Sequence, residues 1–476
     1  MMNSLKFALV SLGALTLATA SAGARVVDVS QTHPRYFETA DGKTWIPIGC
    51  NVCFDRLYDG AAHAHEQVRA NFARWLTAFA DNGGNCIRLW AGHRSIEVMP
   101  DKPGVFDPER TKTLKGIVAL CEKRGIKVKL TLENFRSCLA DSSKSRQPLV
   151  NRTLYAPYAR NVPAFFASEE CRRYYLAKAQ YLKDLGFGES PSVYCWELWN
   201  EINCCGTIAQ YSDWSAWALG ELKKMFPRQL TVNNLGSFSD VGAYRMYDEL
   251  ATEKDNDFMQ VHRYLDAGAC LDVCRGPMDI VAASAVRELL DRRPDRPAVV
   301  AEVGAVQANH AGPFPYYPHD KEGTLLHDAV FAAFFAGAAG CGQFWHWDHQ
   351  YIDGNGLWWH YRRFANAIEG LDPVAERMMP FYTESRRLRM YGLRGRKTAI
   401  FWCRDKRNSW EDELVHGNKP ELLTAEIVPF RNCKLDCYLP WEDRRVTVDA
   451  PTLPPFRRSI VVRVPADAVE GVVRPH

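Results

Sequence analysis

The chain has 476 residues, of which 47% are apolar and 24% charged, and a formal net charge of +3. That composition belongs to a folded soluble protein and excludes a disordered one. A charge so near balance, with no basic stripe, argues against a nucleic-acid partner.

The first 24 residues read as an export signal. Lys6 supplies the positive start, residues 7–18 form a short apolar stretch, and Ala22-Gly23-Ala24 offers a small-residue cleavage site before Arg25. The stretch is too short to span a bilayer, and no later segment reaches that length without charges. The expectation is a secreted or periplasmic protein with no membrane association after cleavage. Fifteen cysteines are compatible with disulfides in such a compartment. Cys270 with Cys274, or Cys433 with Cys437, could pair locally. Cys86, Cys195 and Cys341 fall on predicted strands and read as small buried apolar residues. Cys50 and Cys53 form a CxxC with no second pair at zinc spacing, and His63 with His65 has no third ligand in view. No metal and no cofactor is expected.

Residues 35–37 and 44–48 flank Asp41-Gly42, a hairpin turn signal. The second arm runs into IPIGCN (46–51), the first core strand. Residues 66–79 carry Val68, Phe72, Trp75, Leu76 and Phe79 at helical spacing. NCIRLW (85–90) is the second strand, a helix marked by Leu114, Ile117, Val118 and Cys121 follows, and IKVKLTL (126–132) is the third strand. The stretch 136–167 is a long loop, of the kind that is usually functional, and holds the sequon Asn151-Arg152-Thr153. Ser168 caps a helix that runs to 185. VYCWELWN (193–200), LTVNN (230–234), FMQVHRY (258–264), AVVAEVG (298–304) and GQFWHW (342–347) are strands four to eight. Helices at 211–225, 280–290 and 325–339 separate them, the last apolar nearly all round and so buried. Helices at 361–386 close the run.

Eight strand–helix units with continuous apolar strands predict a (β/α)8 barrel. An open doubly wound sheet fits less well, because Cys50-Asn51-Val52-Cys53 stands where its glycine-rich turn belongs. From 388 the pattern changes to short strands, TAIFWC, AEIVPF, KLDCYL, RVTVDA and SIVVRV, which predict a small antiparallel β-sandwich. The expected division is a signal at 1–24, a barrel with an N-terminal hairpin at 25–387 and the sandwich at 388–476.

Glu201 and Glu302 lie at the ends of the fourth and seventh strands, where barrel enzymes place their chemistry. Two carboxylates at such positions are what a retaining glycosidase needs. GGNCIRLW, WELWNE, VHRY, VVAEVG and QFWHW, in that order, resemble the clan A glycoside hydrolases, most closely family 5, the cellulase and mannanase family. The resemblance spans 35–347. It implies that Glu201 is the acid/base and Glu302 the nucleophile. It implies that Arg88 keeps Glu302 ionised, that Asn200 bonds the 2-hydroxyl of the cleaved sugar, and that Tyr264 touches the nucleophile with His262 as its companion. Trp345 would floor the sugar subsite, with Trp347, Trp358 and Trp359 extending it. Glu133 stands in Thr131-Leu132-Glu133-Asn134, where the family often has a His, and is either a substrate contact or a loop charge. The charge of Glu302 is expected to raise the pKa of Glu201 and keep it protonated. The expected function is hydrolysis of a β-linked oligo- or polysaccharide, mannan or glucan first, with retention. The rivals are an exo-acting clan A β-galactosidase, β-mannosidase or β-xylosidase, and a catalytically inactive glycan-binding barrel. A further option makes the C-terminal domain a carbohydrate-binding module.

Overall fold

The computed structural model describes residues 25–56, 64–134, 158–159, 162–427 and 433–469. The export signal, His63, the sequon and most of the 136–167 loop lie outside the described residues.

Three short antiparallel strands, β1 (Val27–Val29), β2 (Phe37–Thr39) and β3 (Thr44–Trp45), form the expected hairpin with one extra edge. Five strands then lie parallel in chain order: β4 (Gly49–Cys50), β5 (Cys86–Trp90), β6 (Lys127–Thr131), β7 (Val193–Glu197) and β8 (Leu230–Val232). β9 (Met259–Leu265) and β10 (Ala298–Ala305) make a second parallel pair. Every residue of β5, β7, β9 and β10 is buried, as parallel strands covered on both faces require.

Helices alternate with these strands: α1 (Ala64–Asp81), α2 (Pro108–Lys123), α3 (Val162–Ala167), α4 (Glu169–Asp184), α5 (Ile208–Met225), α6 (Gly242–Thr252), α7 (Met278–Arg292), α8 (Thr324–Phe335) and α9 (Trp359–Ala367). α1 buries Val68, Phe72, Trp75, Leu76 and Phe79, the stripe its spacing predicts. Ser168 caps α4 by accepting the Cys171 N–H at 3.2 Å, and Asp107 caps α2 by accepting that of Arg110 at 2.9 Å.

The eighth predicted strand is reduced to two isolated bridges at Phe344, one to Cys50 and one to Val303. Its backbone still bonds both neighbours: Gln343 N to Val300 O at 2.9 Å and Asn51 N to Phe344 O at 3.1 Å. Between β8 and β9 the contact is carried partly by a side chain, the Gln260 amide donating to Asn233 O at 3.0 Å. Asn233 and Asn234 turn the backbone away from a ladder, since Asn233 Oδ1 accepts the Asn234 N–H and Asn256 Oδ1 that of Asn233.

The C-terminal part is one six-stranded antiparallel sheet, in the order β11 (Met379–Glu384), β12 (Leu388–Arg394), β13 (Thr398–Asp405), β16 (Ser459–Pro465), β14 (Lys434–Leu439) and β15 (Arg444–Asp449). It is therefore not two facing sheets. Segments joined by the bridges Leu423–Phe456 and Glu426–Thr452 cover its outer face with Ile427, Leu453 and Phe456. The predicted helices around 361–386 stop at Ala367, and β11 begins at Met379. Gly370 and Arg377, both at positive φ, break the helical path between them.

The inner face of the sheet packs on α7 and α8. Arg389 grips Asp279 with two bonds, at 2.5 and 2.8 Å, and Tyr391 adds a third at 2.9 Å. Arg404 grips Asp328 at 2.7 and 3.1 Å. This cover explains why α8 is apolar on all sides: all twelve of its residues are buried. His327, on α8, meets Ser459 Oγ at 2.7 Å, and His360 meets Glu322 O at 2.9 Å. Burial pushes both imidazoles toward the neutral form, lowering His327 well below its usual range and His360 to about 3.

The fourteen described cysteines are all free, so the expected local pairs do not form. Cys437 lies in β14 four residues after Cys433, and about 13 Å of extended chain separates such positions. That is beyond disulfide reach. Cys274 points inward at Phe238 O, 3.7 Å away, while Cys270 is exposed.

Candidate active site

Arg88, from the middle of β5, organises the floor. It is fully buried, and its fork reaches three acceptors. Nη1 donates to Glu302 Oε1; Nε (2.9 Å) and Nη2 donate to Glu197 Oε1; Nη2 also donates to Asn200 Oδ1 at 2.6 Å. Burial opposes the charge on Arg88, but Glu197 and Glu302 more than restore it. Glu197 would itself be pushed up by burial. Arg88 and Lys129 instead bring it down to about 2. Thr131 Oγ1 at 2.9 Å and Gln260 Nε2 at 2.8 Å complete its shell. A buried carboxylate with this many donors stays ionised and fixes the guanidinium. Because Asn200 spends its carbonyl on Arg88, its NH2 is the group left to face a ligand.

Glu302 reaches the site through a bulge. Val300 pairs with Val261 and Glu302 with His262, so Ala301 is the extra residue. The bulge re-aims the strand and sets Glu302 beside His262 and Tyr264. Tyr264 Oη donates to Glu302 Oε2 at 2.5 Å.

Glu201 lies beyond the end of β7 at φ 55°, ψ 54°. A left-handed glutamate costs roughly 1 kcal/mol. Asn234 holds it there, its Oδ1 accepting the Glu201 N–H at 2.9 Å. That bond fixes the orientation of the Asn234 amide, so its NH2 faces His262 Nε2 at 2.8 Å. Nε2 is then the acceptor and Nδ1 carries the proton. Nδ1 points between the two carboxylates, 2.8 Å from Glu201 Oε1 and 3.3 Å from Glu302 Oε2.

The ligating atoms of Glu201, His262 and Glu302 all lie within 4.8 Å of one another. Such a trio is close enough to ligate a cation. Here the Nδ1 proton occupies that place, so the donor set suits hydrogen bonding better than metal. Burial pushes Glu201 toward the neutral form. The hydrogen bond from His262, the pull of the His262 and His310 imidazoles in their protonated forms and that of Arg88 outweigh it, and its carboxyl titrates below the ordinary range. This corrects the expectation that Glu302 lifts Glu201, since Arg88 already spends the Glu302 charge.

A cavity of about 470 Å³ opens over these groups. Trp345 and Trp90 line one end, their rings 5.3 Å apart, with Arg56 beside them. Arg56 is held by Asp348 at 2.5 Å. Cys204, Ser237 and His310 also line the cavity, Cys204 Sγ 4.0 Å from Glu201 Oε2 and Ser237 Oγ 3.3 Å from His310 Nε2.

Of the residues singled out from the sequence, Glu201, Glu302, Asn200, Tyr264 and Trp345 line this cavity, with Arg88 and His262 beneath it. Trp347 does not. It is wholly buried, edge-on to Phe54 at 5.3 Å and Trp75 at 6.4 Å. Trp358 packs on Phe79, and Trp359 stacks on His360. Glu133 is turned inward, ion-paired with Lys178, which also holds Glu97 at 2.8 Å. Unanticipated were Glu197, Asn234, His310 and Arg56. Glu197 and Lys129 carried a usable signal, a charge inside an otherwise apolar strand, the same signal that marks Arg88.

No family model matches the chain. It is 24% identical over 267 residues to mannan endo-1,4-beta-mannosidase 2 of Arabidopsis thaliana, covering 48% of this chain and 57% of that protein. It is 22% identical over 309 residues to a putative mannan endo-1,4-beta-mannosidase 9 of Oryza sativa subsp. japonica, covering 58% and 72%. The match thus spans little more than half the length of the first of these relatives. A solved structure described as a glycoside hydrolase superposes with a TM-score of 0.59 at 12% identity, over 95% of this chain and 99% of that one. In its motifs, its sequence relatives and its fold, the chain resembles the clan A glycoside hydrolases, and within them family 5.

Proposed function

We propose that this chain is a retaining β-glycosidase acting on β-mannan or on oligosaccharides derived from it, and that its parallel strands close into a (β/α)8 barrel. The observation that carries the reading is the convergence of Glu201 and Glu302, from strands far apart in sequence, with near oxygens within 4.8 Å. A retaining mechanism calls for carboxyls about 5–5.5 Å apart, too close for a water between them. The mannosidase names of the sequence relatives support mannan over glucan. An export signal at 1–24 fits an enzyme that meets a polysaccharide outside the cytoplasm.

In this mechanism Glu302, held by Arg88 and Tyr264, attacks the anomeric carbon. Glu201 protonates the departing oxygen. The glycosyl–Glu302 ester forms as the leaving sugar departs, and Glu201 then takes a proton from the water that cleaves the ester. His262 Nδ1–H serves both halves. Turned toward Glu302 Oε2, it releases Glu201, which burial then drives toward its protonated form. Once Glu302 is esterified and uncharged, the same N–H returns to Glu201 and favours the carboxylate that acts as base. Asn200 offers its NH2 to the 2-hydroxyl, and Trp345 a flat apolar face to the sugar ring.

An exo-acting β-mannosidase is the second reading, favoured by a cavity of about 470 Å³ that suits a short oligosaccharide better than a long chain. The test is incubation with β-mannan, β-1,4-mannobiose to mannohexaose and β-glucans, followed by NMR. The expected first product carries the β-anomer. An α-anomer appearing first overturns retention, and no cleavage of any β-mannoside overturns the function and favours a glycan-binding barrel. Release of mannose alone, from chain ends, selects the exo reading.

A further inference from the structure

Two successive non-glycine residues, Asn309 and His310, hold left-handed backbone at φ 58° and 56°. Each costs roughly 1 kcal/mol in that region, so something must hold the pair. Asp266 does, one residue past the end of β9. It is 3% exposed. Its Oδ1 accepts the N–H groups of Gly268 and Asn309, both at 2.8 Å, and its Oδ2 meets His310 Nδ1 at 2.9 Å. Gly268 is needed, because a Cβ there would stand 2.5 Å from Asn309 N.

This brace aims one imidazole. Its ring stands edge-on to Tyr264, centroids 4.9 Å apart. Nδ1–H donates to the carboxylate of Asp266, so Nε2 carries the lone pair. Nε2 lies 3.3 Å from Ser237 Oγ and faces the cavity, with the side chain 40% exposed. Trp345, Trp90 and Arg56 cluster on the cavity wall, where the proposed mechanism seats the sugar that bears the attacked carbon. His310 lies near enough to Glu201 to act on its charge, and the departing oxygen of that mechanism leaves from Glu201.

We infer that His310, braced by Asp266 and seconded by Ser237, binds a hydroxyl of the leaving-group sugar and so sets a preference for sugar over non-sugar leaving groups. The inference rests on the glycosidase reading. A sugar hydroxyl donates to Nε2, and its oxygen accepts the hydroxyl of Ser237, 3.3 Å from that nitrogen. The aglycone of an aryl glycoside has no hydroxyl to offer there.

The test compares kcat/KM for β-1,4-mannobiose and for 4-nitrophenyl β-mannoside. His310→Gly is the informative variant, since glycine adopts φ 56° freely. One hydrogen bond is worth about tenfold, so the ratio of mannobiose to aryl kcat/KM is expected to fall about tenfold. Ser237→Ala, which leaves the brace intact, is expected to lower the ratio by a smaller factor. Equal losses on both substrates in His310→Gly, or a ratio unmoved in both variants, overturn the inference while the glycosidase reading stands. A wild-type enzyme that cleaves neither substrate overturns both.

Discussion

Buried arginine–carboxylate pairs hold two parts of this molecule, and they are built differently. At the seam between helices and C-terminal sheet, each arginine has its own acid: Arg389 with Asp279 and Arg404 with Asp328, each pair bonded through two nitrogens. In the cavity floor a single guanidinium serves Glu197, Glu302 and Asn200 together. Among the described residues no arginine hydrogen-bonds Glu201, whose carboxylate takes the His262 N–H and a distant thiol, 4.0 Å away. The seam gives each buried acid one cation of its own. The floor divides one cation among several acceptors, so that two carboxylates share a site without either being neutralised. The first arrangement fixes a fold, and the second, in the proposed mechanism, leaves one carboxylate to attack while the other changes its proton.

That contrast can be broken from either side. Glu302→Gln keeps the size and the Arg88 contact but removes the attacking charge. Turnover of every β-mannoside should fall below detection while the melting temperature stays within a few degrees of wild type; unchanged kcat removes Glu302 from the mechanism. Arg404→Met should do the reverse. Leaving Asp328 buried and unpaired costs about 3–5 kcal/mol, read by denaturant unfolding, with kcat unchanged in the folded fraction. Adding Asp328→Leu should recover most of that loss, and a double variant as unstable as the single would refute the pairing argument.

Glu201→Ala should cost about 10²–10⁴-fold on mannobiose and much less on an aryl mannoside, whose leaving group needs little acid help. Equal loss on the two counts against the acid role. The smallest effect is a shift of pH profile. Glu201 must be protonated to act as acid, and the free site holds it below the ordinary carboxyl range. The alkaline limb of kcat/KM should therefore lie in the acidic range. His262→Phe removes the N–H that favours the carboxylate and leaves burial in charge, so the limb should move to higher pH. A limb that stays put, or moves down, contradicts the part given to His262.

Much of this was legible in the chain. Strand order and the two glutamates follow from apolar runs with polar residues at their ends, Arg88 from a charge inside such a run, and Asn200, Tyr264 and Trp345 from the resemblance of the motifs. What the pattern hid is instructive. Trp345 and Trp347 are two apart, which in a strand would put them on one face; the chain leaves the strand path with a bend at Trp345, so Trp345 lines the cavity while Trp347 enters the aromatic core. Glu133 reads like a free loop charge because its partner, Lys178, lies on α4, far along the chain. Asn234 and Asp266 work through side-chain bonds to distant backbone, which leaves no periodicity to read. β11 and β12 escape the pattern because the charges at 384–389 read as a solvated linker, and the predicted strand at 425–430 is, over its described part, a single bridge at Glu426.

The two uncharged imidazoles sealed at the seam, His327 and His360, have a consequence for where the molecule can work. An unfolded chain takes up protons at these residues near pH 6.5, whereas His360 in the fold resists until about 3. Cohesion is whole above 6.5 and weakens by up to about 1.4 kcal/mol per pH unit for each imidazole as acidity rises below it. Glu201 asks for the opposite, a medium acid enough to load its carboxyl. The useful acidity is thus bracketed from below by histidines remote from any sugar, and replacing them would extend the acid range without touching the chemistry.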